Sequence, residues 1–170
     1  DLTIGAGMSL LDPAEPGGGV NAAHMQFNSL AQAVGQHGTL RFDGNNNGAI
    51  GTTSNVYFAT APTLSNNLIG GWAVQDRDFV TYTATGGVTP LQNAGTAGYN
   101  RTNYTDANTN GINSAVAGEN IRMIGTGATA AGHSVTLNAS RTMNALAYIP
   151  QNTAGTASFN LNGNTLTLQS

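Results

Sequence analysis

Leu68-Ile69-Gly70-Gly71-Trp72-Ala73-Val74, followed after a short polar turn by Asp78-Phe79-Val80-Thr81-Tyr82, is the stretch whose reading decides the fold. It contains the chain's single Trp and two dense apolar runs of strand length. Trp72, Phe79 and Tyr82 bring more area to bury per residue than any other segment. Gly70 and Gly71 let another backbone come close. Together these five residues are the expected structural centre, with Leu68–Val74 and Phe79–Tyr82 as two strands.

Working outward, the remaining apolar runs are short and separated by turn residues. Leu2-Thr3-Ile4 opens as a strand that Met8–Leu11 extends. Thr39–Phe42 alternates, placing Leu40 and Phe42 on one face. Val56–Ala59, Val88–Leu91, Glu119–Ile124, His133–Leu137, Met143–Ile149, Ser158–Leu161 and Thr165–Leu168 follow. The run Ala22–Gln36 fits a short amphipathic helix or two strands, because short apolar runs are not separated by periodicity alone. Asn162-Gly163-Asn164 is a turn with Gly where positive φ is cheap. The interior is expected to be built from Leu40, Phe42, Val56, Phe58, Trp72, Phe79, Ile121, Val135, Leu137, Leu146, Phe159, Leu161, Leu166 and Leu168.

Composition supports an all-β chain. Of 170 residues, 23 are Gly, and Asn and Thr carry the polar role that charge usually fills, since only 8% are charged. Asn and Gly tolerate the turns between short strands and are poor helix formers. Many short strands with Asn/Gly corners leave two architectures open: an antiparallel β-sandwich or barrel, and a coiled parallel solenoid. The recurring apolar-Thr-apolar strand (Leu2-Thr3-Ile4, Val135-Thr136-Leu137, Leu166-Thr167-Leu168) suggests coils whose outward Thr stack in ladders.

Charge excludes some partners. There is no Lys, and Arg41, Arg77, Arg101, Arg122 and Arg141 are scattered singly, so no clustered basic footprint for nucleic acid or a membrane surface exists. No apolar run is long enough for a membrane-spanning helix. The absence of Cys is neutral on compartment.

The block Ala61-Pro62-Thr63-Leu64, Asn67–Val74, Asp78–Tyr82 and Gly87-Val88-Thr89-Pro90-Leu91 resembles the "IGGWA … dFaTY" block of large bacterial autotransporter-type passengers with autotransporter-associated β-strand repeats. Glu119-Asn120-Ile121-Arg122 resembles the strand that follows it there. Leu161-Asn162-Gly163-Asn164-Thr165-Leu166-Thr167-Leu168 resembles the next rung, and Met25–Phe42 the segment upstream. The resemblance covers most of residues 24–170. It implies a right-handed parallel β-helix, exported across a Gram-negative-type envelope to the cell surface, with a structural or adhesive role and no enzymatic one. The chain is then expected to be one β-solenoid segment (1–170) of a longer precursor, with a Pro/Gly break at 12–20 and a loop excursion over 92–118. Its expected partners are neighbouring repeats or further copies of itself, and surface glycans.

Candidate chemistry is sparse. Asp43, Asn45, Asn47 with Gly48, and Asp106, Asn108, Asn110 with Gly111, place alternate oxygens before a sharp Gly turn, a pattern that can wrap Ca²⁺. Both loops lack the acidic residue at the twelfth position, where Ser54 and Ala117 stand, so calcium binding is expected to be weak; the plain alternative is an Asn/Gly corner. No other cofactor is implied. Asp76 and Asp78 flank Arg77 and compare with a polysaccharide-cleaving carboxylate pair, against a solvated turn with a local ion pair. His24, His37 and His133 have no metal-ligand spacing. Asn100, Asn103 and Asn138 begin glycosylation sequons, and Tyr99 and Tyr104 offer an aromatic contact surface in the excursion.

Overall fold

The computed structural model describes residues 1–13, 23–44, 50–52, 54–93, 98–100, 112–124, 134–149 and 158–170. It is an all-β solenoid of about 4 turns, and it divides into two compact units, Asp1–Gly98 and Tyr99–Ser170. The pairing between coils is parallel, so the antiparallel sandwich is excluded. No α-helix occurs among the described residues; the Ala22–Gln36 ambiguity resolves to strands.

In the first unit, β1 (Leu2–Ile4), β2 (Met8–Leu11) and β3 (Ala23–Phe27) make one three-stranded coil, and β4 (Leu30–Gln32), β5 (Thr39–Phe42) and β6 (Ser54–Phe58) the next. Each strand pairs in parallel with its counterpart one coil on. Leu2 lies opposite Leu30 and Met25 opposite Val56, so a coil takes 28 to 31 residues. Side chains alternate in and out along each strand. Leu40, Phe42 and Val56 point inward with no exposed surface, beneath Ser9, Leu11 and Met25 of the first coil. The corner before β5 needs glycine: a Cβ on Gly38 would run into the Gly5 carbonyl.

The Trp72 block ends this unit. β7 (Ala73–Gln75) still pairs in parallel with β5, but β8 (Asp78–Thr83) and β9 (Gly87–Pro90) return antiparallel, giving the sheet order β2-β5-β7-β8-β9. The turn between β7 and β8 has Asp76 at φ 51°. The expected strand Leu68–Val74 is therefore mostly a turn: Ser65 and Leu68 form a bridge, and the Ala73 amide donates to the Gly70 carbonyl. A Cβ on Gly70 would strike the Trp72 indole, so the group that comes close here is a side chain and not a second backbone. Trp72 is half-buried against the core. Phe79, expected inside, is also only half-buried, because alternation along β8 gives the fully buried place to Val80.

Tyr82 closes the edge of β6. Its hydroxyl accepts the Phe58 N–H and donates to the Phe58 carbonyl, both at 3.0 Å, replacing the backbone of a further coil. Asn55 donates to the Gly86 carbonyl and Tyr57 to the Thr85 carbonyl along the same strand. The rings of Phe27, Phe58 and Tyr82 follow one another at 5.9 Å centroid spacing.

The second unit has shorter, more regular coils: β10 (Asn120–Ile124), β11 (Ser134–Thr136) and β12 (Arg141–Met143), then β13 (Ala145–Ile149), β14 (Ser158–Asn160) and β15 (Leu166–Leu168). Ile121 faces Leu146, Val135 faces Phe159 and Thr142 faces Thr167, a spacing of 24 or 25 residues. Met143–Ile149, expected as one strand, is two strands on different faces, broken at Asn144. The Asn144 amide donates at 2.7 Å to the Asn120 side chain, and both residues are buried. Buried amides left unpaired would be costly; stacking them one coil apart pairs them. The Thr ladders are limited to Thr142–Thr167, since Thr3 faces Ala31 and Thr136 faces Asn160. Ile112, at the end of the 92–118 excursion, is fully buried with Ala115 in this unit's core.

Two substitutions test this packing by urea denaturation. Tyr82→Phe leaves the Phe58 N–H and carbonyl without their partner and is expected to cost about 1–3 kcal/mol. Phe42→Ala, in the closed interior, is expected to cost about 3–5 kcal/mol.

Candidate functional site

Each parallel strand has two edges, and a coil has an apolar ring that only another coil covers. Some of these edges are closed by side chains. In the second unit, Asn100 accepts the Asn120 N–H at 2.7 Å and returns its own N–H to the Asn120 carbonyl. Asn113 accepts the Asn138 N–H and donates its amide to the Thr136 carbonyl, serving the β11 edge as a strand would. Asn113, like Tyr82 on β6, uses one side chain as both donor and acceptor, whereas Asn100 combines its side-chain oxygen with its backbone N–H.

The terminal coils are left open among the described residues. β1, β2 and β3 have partners on one side only, as do β13, β14 and β15. Leu2, Leu11, Met25 and Phe27 pack on the core beneath them and stay half-buried, because no described residue stands on their other side. In the last coil Leu146, Tyr148, Phe159 and Leu166 are in the same position. Leu168, opposite the fully buried Met143, is 50% exposed. Leu161 and Leu168 were expected in the interior; they lie in the last coil, where the interior is uncovered. Covering the exposed half of such a side chain stabilises by about 1 kcal/mol each at roughly 25 cal/mol per Å².

Edge strands are normally protected by Lys, Pro or inward-pointing charge. The six terminal strands contain no Lys, Arg, Asp, Glu or Pro, and no charged residue follows Arg141. His24 is the one titratable side chain of the first coil's strands, and it sits against the Tyr57 ring. Burial raises the Tyr148 hydroxyl above its ordinary value, keeping it neutral. The strands of the first and last coils are therefore uncharged, with apolar residues on their inner sides.

The other sequence candidates are dispersed. Asp43 is buried; its Oδ2 is 2.8 Å from Arg41 Nη2, and its Oδ1 has no hydrogen-bond partner. Asn45, Asn47, Asp106, Asn108 and Asn110 lie outside the described residues, as do His133, Asn103 and Tyr104. No group of three His, Cys, Asp or Glu side chains gathers among the described residues. Asp78 is buried and accepts the Gln92 N–H, whereas Asp76 is exposed in its turn. Tyr99 stacks with the Arg122 guanidinium at 5.9 Å. Asn138 accepts from Arg141 Nη2 at 2.7 Å. A second apolar feature escaped the sequence reading. Leu10, Arg41, Val74 and Phe79 register side by side across the outer face of the five-stranded sheet, with Leu10 58% exposed and Met8, two residues earlier, 80% exposed. Simple alternation along Met8–Leu11 would have found it.

Comparison of the chain with known protein families, with curated proteins and with solved structures found no match. No helix among the described residues is long and apolar enough to cross a membrane.

Asn113→Ala separates closure from packing. It is expected to destabilise the chain by about 1–3 kcal/mol, because the Asn138 N–H and Thr136 carbonyl lose their partner. Exchange of the Asn138 amide should accelerate while that of Val135, in the β11 core, changes less.

Proposed function

We propose that this chain is a structural surface module, a segment of a fibre, stalk or filament that acts through its stacked coils. The observation that carries this reading is the parallel backbone ladder that joins coil to coil within each unit. The resemblance of the Ile69–Val74 and Asp78–Tyr82 block to autotransporter-type passengers supports an extracellular or cell-surface setting reached by export across a Gram-negative-type envelope. Coils joined by backbone hydrogen bonds along one axis suit a load-bearing spacer.

A second reading, an adhesin or glycan-binding segment, is favoured by the outer row of Leu10, Val74 and Phe79 beside the Arg41–Asp43 pair. Apolar faces flanked by hydrogen-bonding groups suit sugar rings. Polysaccharide cleavage has weaker support, since Asp78 is buried on the Gln92 amide and Asp76 is exposed.

The test is incubation with a panel of bacterial and host glycans, following reducing-end release and Trp72 fluorescence together. A structural module gives no turnover and no saturable change in fluorescence. Saturable quenching lost in Phe79→Ala would replace it with the adhesin reading. Sustained release of reducing ends abolished by Asp78→Asn would replace it with an enzyme.

A further inference from the structure

We infer that Asn138, at the corner between β11 and β12, is an attachment site for an N-linked sugar. This rests on the export proposed above, because a sequon is modified only where a transferase and an activated sugar meet the chain.

Asn138-Ala139-Ser140 is the one sequon that lies wholly within the described residues. All three residues are exposed, in a bend held by the fully buried Leu137 before it and Met143 after it. The corner has neighbours along the stack on both sides. The Asn138 N–H is given to Asn113 on one side, and on the other the Asn164 amide donates to the Leu137 carbonyl at 3.1 Å. Asn138 stays exposed with both in place, so its accessibility does not depend on a missing coil. Its side chain is also arranged for attachment. Oδ1 accepts from Arg141 Nη2 at 2.7 Å, which leaves Nδ2, the atom that carries an N-linked sugar, on the opposite side of the amide. Ser140 supplies the hydroxyl two residues on; its Oγ accepts the Thr165 N–H at 3.0 Å and keeps its own proton to donate.

In the transfer, Nδ2 forms a bond to the anomeric carbon of a sugar activated as a phosphate or pyrophosphate ester. The bond from that carbon to the phosphate oxygen breaks, and the phosphate leaves with the electron pair. The transferase takes one Nδ2 proton, so the amide stays neutral and no oxidant or reductant is needed. The product keeps Oδ1 and the backbone N–H, so the contacts with Arg141 and Asn113 survive and the corner holds its shape. A hydrated sugar there adds polar surface to a chain of which only 8% of residues are charged.

Cleavage after arginine separates the three sequons. With no Lys in the chain, trypsin gives Asp78–Arg101 with Asn100, Thr102–Arg122 with Asn103, and Met123–Arg141, whose single Asn is Asn138. The chain is recovered from the cells that make it and digested, and each peptide is read by mass spectrometry with fragmentation that leaves sugars on their side chains. Met123–Arg141 is expected to carry the added mass of at least one sugar, placed on Asn138. Ser140→Ala is expected to lose that mass and Ser140→Thr to keep it, with circular dichroism verifying that each variant folds. An unmodified Met123–Arg141 in the unaltered chain would overturn the site. Added mass on a Ser or Thr hydroxyl of that peptide, or its retention in Ser140→Ala, would overturn it too. Protease accessibility of the chain on intact cells judges export separately. A chain cleaved at the surface but unmodified at Asn138 overturns the site alone and leaves the structural reading standing.

Discussion

Parallel pairing of coil on coil is the constraint on which this structure depends. A strand of three to five residues has too few hydrogen bonds and too little apolar surface to stand alone. Set over its counterpart 24 to 31 residues earlier, it gains a ladder on one edge and an apolar neighbour on its inner face. Sequence patterning follows from this need. Leu40 and Phe42, or Ile121 and Met123, alternate inward, while Asn and Gly make corners that turn the chain through each coil. Stability in such a fold is close to a sum over neighbours, and any coil with only one neighbour is incomplete.

Polar side chains complete what further coils do not. The Tyr82 hydroxyl serves both backbone groups of Phe58, and the Asn113 amide serves both sides of Leu137. Buried Asn120 and Asn144 pair with each other one coil apart. The high Asn content is thus more than a preference for turns: an amide is the side-chain group nearest to a peptide in its donor and acceptor geometry. The antiparallel return of β8 and β9 acts with Tyr82 to finish one end of the first unit.

Much of the fold was legible in the sequence. Strand positions, the inward pair Leu40 and Phe42, and the turn at Asn162-Gly163 follow from alternation and from the tolerance of Asn and Gly for positive φ. The stacking of coils did not follow from self-similarity, because coils in the two units differ in length and the strand motifs diverge. Pairings between distant residues set the register, and a single sequence does not display them. The Trp72 block was misplaced for a related reason. Its apolar density suggests a central rung, yet Gly70 and Gly71 break the strand and the block turns back on itself. Phe79 lost the interior to Val80 because the two-residue turn at Asp76 and Arg77 sets the parity of β8. Of the candidate sites, the calcium pattern at Asp43 was visible, but the ion pair with Arg41 was not. That Met25 and Phe27 share the inner side of the first coil, and Phe159 and Leu166 that of the last, became visible only in the structure.

Amide hydrogen exchange resolved by residue tests the central claim most directly. If parallel coils stack as described, ladder amides of β5, β6, β10 and β11 exchange slowly. Amides of the exposed corners at Gly35 and Gly163 should exchange quickly. Fast exchange throughout β5, β6, β10 and β11 would contradict the account, because it would mean that the parallel ladders are not formed.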